Sequence, residues 1–274
     1  MTRWSLLRSN LLIRRTYIRS SRWLALAAVL MVGSGGPAFS DIRLFAAAST
    51  TGPLTEIIAK FRNQTGNTAV PVFAASGSLA RQIAHGAPAD LFLAAHPRWM
   101  NWLASKGLLR GDKRRDIARN CLVLVQPKNA TPLPALVSTF AEALAKDRIA
   151  IGDPNFVPAG EYAVSALRHL GIWAEIATHA ARLPSARHVL FLVQRGEVAA
   201  GLIYHSDAKD AANIKIAEVI PSKLHDDIVY PLAIIKESHR PVGAEEFFDF
   251  LFTDSSLAIF ERYGFRSIDE QCPD

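Results

Sequence analysis

From residue 42 onward, short apolar runs of strand character alternate with segments whose apolar residues recur at helical spacing. This alternation constrains the fold more than any other feature of the chain. Residues 42–47, 70–74, 91–93, 122–125, 148–151, 200–204, 214–219 and 228–235 read as strands. Residues 54–61, 79–85, 99–103, 162–170, 189–194, 245–252 and 257–262 read as helices. Strands interleaved with helices of this length predict an α/β chain built on mostly parallel sheet with helices on both faces. The long apolar runs at 122–125 and 228–235 fit two arrangements equally, core strands of one domain or a pair of strands crossing between two lobes. No internal repeat, low-complexity tract or long linker interrupts the pattern.

The first forty residues obey a different rule. They carry Arg3, Arg8, Arg14, Arg15, Arg19 and Arg22 and no acid, then an apolar stretch over 23–32, then the small-residue run 33–40. Basic, apolar and small-residue regions in that order are those of a secretory signal peptide. The apolar stretch is well short of the roughly twenty residues a membrane-spanning helix needs. Residues 1–40 are therefore expected to be removed, with Ala38 and Ser40 placing the cut before Asp41. Arg14-Arg15-Thr16-Tyr17-Ile18 faintly resembles a twin-arginine signal, but the general secretory route is the expected one. No cysteine stands near the cut to carry a lipid anchor, so the expected product is a soluble periplasmic protein.

The leader also accounts for the charge. The chain has 31 basic and 25 acidic residues, and the six leader arginines make up the whole surplus. A mature chain without basic excess lacks the electrostatic footprint of a nucleic-acid binder. Of the two cysteines, Cys121 sits in an apolar run and reads as a small buried hydrophobe, while Cys272 lies in the tail. An oxidising compartment permits a bridge between them, but nothing in their spacing calls for one.

Chemistry is concentrated where strands give way to helix starts. Ser49-Thr50-Thr51, Ser76-Gly77-Ser78, Val157-Pro158-Ala159-Gly160 and Ser185-Ala186 each precede a helical segment. A helix start offers unpaired backbone N–H groups and partial positive charge, and serine adds a hydroxyl, so each junction is a ready anion site without any lysine or arginine. Taken singly, each is equally an ordinary N-cap or turn. Neither His-Glu-x-x-His, Gly-x-Ser-x-Gly nor a Walker glycine loop occurs in the mature chain, and its histidines lack metal-ligand spacing. These absences favour binding over catalysis.

The stretches 45–49 (FAAAS), 79–92 (LARQIAHGAPADLF), 152–160 (GDPNFVPAG), 201–204 (GLIY), 230–234 (YPLAI) and 260–265 (FERYGF) together resemble the periplasmic molybdate-binding protein family. The resemblance implies a type II periplasmic binding fold, with two doubly wound lobes joined by two crossing strands. Lobe 1 is then 41–121 plus 231–274, lobe 2 is 122–230, and the hinge lies near 121–125 and 228–235. It implies a tetrahedral oxyanion, molybdate or tungstate, held by the hydroxyls of Ser49, Ser76 and Tyr204 and the backbone N–H groups of Ala159 and Ala186. No cofactor and no directly ligated metal is implied. The partner is the membrane permease of an ABC importer, and the protein is expected to be a monomer. The chain departs from the family's pattern at Ala186, where valine is common, and at Ala94-Ala95-His96, where many members read Ser-Ala-Asp. His96 is given no role.

The chemistry of the donors agrees with that ligand. A fully deprotonated dianion needs only donors, whereas hydrogen phosphate is best held where an acceptor meets its proton, and none of the five positions has a carboxylate. The rivals are a carrier of sulfate, thiosulfate or ferric iron on the same fold, a secreted two-lobed enzyme, and the ligand domain of a regulator. Iron carriers commonly use adjacent tyrosines, and Tyr204 is followed by His205.

Overall fold

The computed structural model describes residues 41–135, 139–144 and 147–272. The leader and its cleavage point lie outside the described residues. In chain order the elements are β1 (Ile42–Ala47), α1 (Thr51–Thr65), β2 (Ala69–Ala74), α2 (Ser76–Ala84), β3 (Leu91–Leu93), α3 (Pro97–Ser105), β4 (Leu109–Asn120), β5 (Leu122–Pro127), α4 (Phe140–Leu144) and β6 (Ile149–Gly152). They continue with α5 (Pro158–His169), α6 (Trp173–Ile176), β7 (Ala180–Leu183), α7 (Ala186–Gln194), β8 (Ala200–Tyr204), α8 (His205–Ala208), β9 (Ile214–Val219), β10 (Ile228–Ile235), α9 (Pro241–Leu251) and α10 (Asp254–Arg262).

The strands form two five-stranded sheets, ordered β2-β1-β3-β10-β4 and β7-β6-β8-β5-β9. The layouts match. A central strand (β1 or β6) pairs in parallel on both sides, and an antiparallel strand (β10 or β5) stands beyond. Each sheet is thus mixed rather than parallel throughout, because the strand that enters or leaves a lobe runs against the βα units. The runs at 122–125 and 228–235 lie in different sheets, which decides between the two arrangements the sequence left open. The chain passes from the first sheet to the second at Cys121, between β4 and β5, and returns through 220–227 before β10.

Burial on both faces explains the apolar runs. Successive strand residues point to opposite sides, so Leu44 and Ala46 join one core cluster while Phe45 joins another. Leu91 and Leu93 likewise part from Phe92, and Leu232 and Ile234 from Ala233 and Ile235. The second sheet repeats this, with Leu122 and Leu124 on one side and Val123 and Val125 on the other.

β4 has no counterpart among the predicted strands. Its sequence LRGDKRRDIARN is charged through most of its length, which suits a sheet edge, where unpaired backbone invites aggregation and charge discourages it. The second difference is a disulfide. Cys121 and Cys272 are bonded, with Cα atoms 5.6 Å apart. Cys121 is buried as expected, but as half of a bridge that pins the tail beside the first crossing point. Arg119 and Arg266 exchange backbone hydrogen bonds of 2.9 Å on the same seam, bringing the two cysteines within reach although 151 residues separate them.

Candidate functional site

Both sheets present the carboxyl ends of their parallel strands to a shared cleft, the usual place for a ligand in doubly wound folds. Ser49 stands in the 3-10 turn Ala48–Thr50 between β1 and α1, and Ser76 is the first residue of α2 after β2. From the other sheet, Ala159 is the second residue of α5, Ala186 the first of α7, and Tyr204 the last of β8. All five line one small cavity with Ala47, Ala48, Ala74, Ala75, Ala95, Val157, Pro158 and Ser185. No lining side chain is charged. The cavity volume is about 20 Å³, far below the roughly 300–1,000 Å³ of sites for small organic ligands, so a small ion suits it better than an organic molecule.

Local sequence explains how the donors arrive there. Val157 is extended and Pro158 opens α5, as proline's fixed φ favours. The N–H of Ala159 then lies in the first turn, with no intrahelical acceptor. That turn is pressed onto the end of β6, where a side chain at Gly160 would meet the Gly152 carbonyl oxygen at 1.9 Å. Only glycine permits the approach. Ser185 caps α7, accepting from the His188 N–H, and so leaves the Ala186 N–H free of the cap.

The hydroxyls are set as donors. Ser76 Oγ accepts the buried Ala95 N–H at 2.9 Å, which leaves its proton for the cavity. Asn120 Nδ2 donates to Tyr230 Oη at 3.3 Å, and Tyr230 Oη lies 3.0 Å from Ser49 Oγ. Tyr230 Oη is placed to donate a hydrogen bond to Ser49 Oγ, and in that orientation the Ser49 proton is likewise free for the cavity. Tyr204 is 2% exposed, and its hydroxyl has no hydrogen bond of acceptable geometry. Burial, reinforced by the neighbouring Tyr230, holds its pKa well above the ordinary tyrosine value, so it keeps its proton and can only give it to a ligand or to water. The cavity presents donors and no ionised acceptor.

The sequence matches the family described as bacterial extracellular solute-binding protein over residues 42–266. It is 36% identical over 252 residues to the molybdate-binding protein ModA of Escherichia coli, covering 89% of this chain and 98% of that one. The chain belongs to the bacterial extracellular solute-binding proteins and, within them, to the molybdate-binding protein family. Its fold is also that of the periplasmic molybdate-binding protein of Azotobacter vinelandii (TM-score 0.71, 24% identity, 85% of this chain and 100% of that one). The same holds for the sulfate-binding protein SubI of Mycobacterium tuberculosis (TM-score 0.70, 17% identity, 84% and 88%). At these identities the two likenesses speak for the fold alone.

For a member of this family, the sequence omitted the layer behind the site. Asn120 and Tyr230 direct the Ser49 hydroxyl from the crossing region, and Asn120 also bonds Ser206 Oγ at 2.7 Å and the Cys121 N–H at 2.9 Å. Asn120 and Tyr230 are 110 positions apart, and Tyr230 and Ser49 are 181, so no local pattern announces them. Asp207 is also buried behind Tyr204, one oxygen without a partner and the other 3.8 Å from Arg187 Nε. Burial pushes its pKa up to about 6 against the pull of Arg187. Ser206 and Lys209 stand at the Ser-x-x-Lys spacing of some nucleophile pairs, but Lys209 Nζ donates to the Arg262 carbonyl at 2.6 Å and neither residue lines the cavity. Among the described residues no cluster of histidine, cysteine and carboxylate side chains is arranged to hold a metal.

Proposed function

We propose that this chain is an exported, non-catalytic receptor that captures molybdate or tungstate between its lobes and delivers it to the membrane permease of an ABC importer. Ser49, Ser76 and Tyr204 give hydroxyl protons to the anion, and Ala159 and Ala186 give backbone N–H groups. The observation that carries this reading is a cavity without an ionised acceptor, in which the Ser76 oxygen already accepts a hydrogen bond from the protein and the buried Tyr204 hydroxyl lacks a partner. A tetrahedral dianion offers an acceptor in every direction. Hydrogen phosphate carries a proton for which this cavity has no ionised acceptor, and is disfavoured. The name of the Escherichia coli relative, which matches along almost its whole length, supports the same choice.

The remaining parts of the reading follow. Residues 1–40 direct export and are removed, residues 41–121 with 231–274 and residues 122–230 move as the two lobes, and the protein acts as a monomer without a cofactor. Calorimetric titration of the chain from Asp41 with molybdate, tungstate, sulfate and phosphate tests the central claim. A ligand at a hundredfold excess over its Kd stabilises the fold by about 2.7 kcal/mol, or roughly 5–10 °C in Tm for a domain of this size. Molybdate and tungstate are expected to give that shift and phosphate little. An equal response to phosphate refutes the argument from a missing ionised acceptor, and the sulfate arm measures discrimination by size. Mass spectrometry of a periplasmic fraction is expected to find a chain starting near Asp41, and a full-length product in the cytosol would contradict export.

A further inference from the structure

Beside the cavity, outside its lining, the lobes meet in a second polar contact. Glu161 lies in the first turn of α5, two residues beyond Ala159, with its side chain only 9% exposed. Its Oε1 accepts from Trp99 Nε1 at 2.9 Å and forms an ion pair with Arg98 Nη2 at 3.2 Å, and its Oε2 is 3.6 Å from His96 Nε2. All three partners belong to the start of α3 in the opposite lobe. The contact is reinforced on both flanks. The His96 ring stacks on Tyr162 with centroids 4.6 Å apart and planes 10° apart, and the Gly77 N–H donates to the Phe156 carbonyl at 3.0 Å. The guanidinium groups of Arg81 and Arg98 lie 5.2 and 4.5 Å from the Trp99 ring centre. The indole packs against Gly77 so closely that a Cβ there would lie 2.5 Å from it.

An acidic side chain in the first turn of a helix has an ordinary use, complementing the helix dipole. Here that use conflicts with the neighbouring site, because a carboxylate two residues from Ala159 repels a bound dianion unless its charge is engaged elsewhere. Trp99, Arg98 and His96 engage it from across the cleft. Burial raises the Glu161 pKa, and Arg98 is the main force opposing that rise. Burial lowers His96 to about 4, so near neutral pH its ring serves as a stacking surface and hydrogen-bonding group rather than as a cation.

Resting on the oxyanion reading above, we propose that Glu161 is a positioning residue, a bolt that fixes the first turn of α5 against α3 and sets how long the bound anion stays. The bolt forms only when the lobes meet, so it acts on release rather than capture. In the chain from Asp41, loaded with radiolabelled molybdate and chased with unlabelled molybdate, Glu161→Ala and Trp99→Phe are each expected to release the label about tenfold faster, as loss of a partner in a buried charge pair acts mainly on dissociation. Association should stay within about twofold of the parent, since it varies far less than release among variants of one interface. The double variant should release hardly faster than Glu161→Ala alone, because the two groups share one interaction. Glu161→Gln, which keeps an oxygen for Trp99 Nε1, should recover part of the loss, and in Glu161→Ala the indole emission should respond less to molybdate. Parental release from Glu161→Ala and Trp99→Phe overturns the bolt. So does an equal fall in melting temperature with and without molybdate, the signature of a helix-dipole role alone. A parent that binds no tetrahedral oxyanion overturns the functional reading and the bolt together, whereas a parent that binds molybdate while its variants release it unchanged overturns the bolt alone.

Discussion

Replacing Tyr204 by phenylalanine removes one oxygen from a side chain that is 2% exposed and whose hydroxyl lacks a protein partner. If that hydroxyl donates to a bound dianion, the variant forfeits a hydrogen bond to a charged group, worth roughly 1.5–3 kcal/mol, or about ten- to hundredfold in Kd. Without ligand the sign differs. No protein hydrogen bond is lost, and the cost of burying an orphan hydroxyl, about 1–3 kcal/mol where water does not meet it, is relieved. The unliganded melting temperature should hold or rise while affinity falls. Ser76→Ala is the counterpart. Its oxygen accepts the buried Ala95 N–H, so removing it weakens the anion and also strands a backbone donor, at about 1–3 kcal/mol of fold stability. Calorimetry with molybdate and thermal melts of both unliganded variants measure the four quantities. The reasoning is refuted if Tyr204→Phe binds like the parent, or if its unliganded melt drops as far as that of Ser76→Ala.

Tyr230→Phe breaks the relay from Asn120 to Ser49 and lets the Ser49 hydroxyl rotate; titration should show weaker molybdate binding by roughly 1 kcal/mol, the typical worth of one hydrogen bond, with less discrimination against phosphate. Reducing the Cys121–Cys272 bridge frees a long loop and should cost about 2–5 kcal/mol, on the order of 10 °C in Tm, while molybdate still binds at 25 °C; an unchanged melt contradicts this. Asp207 titrates near 3.8 when unfolded and near 6 when folded, so the folded state holds the proton more tightly between those values. That stabilisation is fully present below about 4, is lost as pH rises through 6, and amounts to roughly 3 kcal/mol. Asp207→Asn should flatten this limb in melts from pH 4 to 7, and a variant that keeps the parental slope shows that Asp207 is not its source.

The fold was legible wherever strands are buried on both faces. Such strands read as unbroken apolar runs, and the runs at 42–47, 91–93, 122–125 and 228–235 all fall on strands. It was illegible at β4, whose Arg-rich sequence carries neither a run nor an alternation because a sheet edge selects charge for a different reason. The five proposed donors could be singled out because each sits at the end of a strand or the start of a helix, a position sequence pattern can mark, and the family resemblance selected among such junctions. Tyr230, Asn120 and the disulfide partners had no such mark. Tyr230 opens the YPLAI stretch and the compartment permits a bridge, but what these residues do lies in pairings across more than a hundred residues, which a single chain read in order does not specify.

The division of the proposed donors between the two sheets bears on how such a receptor would let go of its anion. Ser49 and Ser76 follow strands of the first sheet, while Ala159, Ala186 and Tyr204 follow or end strands of the second. Either lobe alone meets only part of a tetrahedral anion's acceptors and leaves the rest to water. A ligand shifts a conformational equilibrium only by its differential affinity for the two states, and in the proposed site that differential would be the share of the donors lost when the lobes part. At roughly 1.5–3 kcal/mol for each charge-assisted bond, losing two donors supplies about 3–6 kcal/mol, and about 5.5 kcal/mol carries a population from one part in a hundred closed to nearly all closed. An arginine in the cavity would attract the anion in both states through the longer reach of its charge, raising affinity without raising that differential. Neutral donors, effective only at contact distance, would make binding nearly synonymous with closure, so on the proposed reading a partner that pulls the lobes apart would also release the anion.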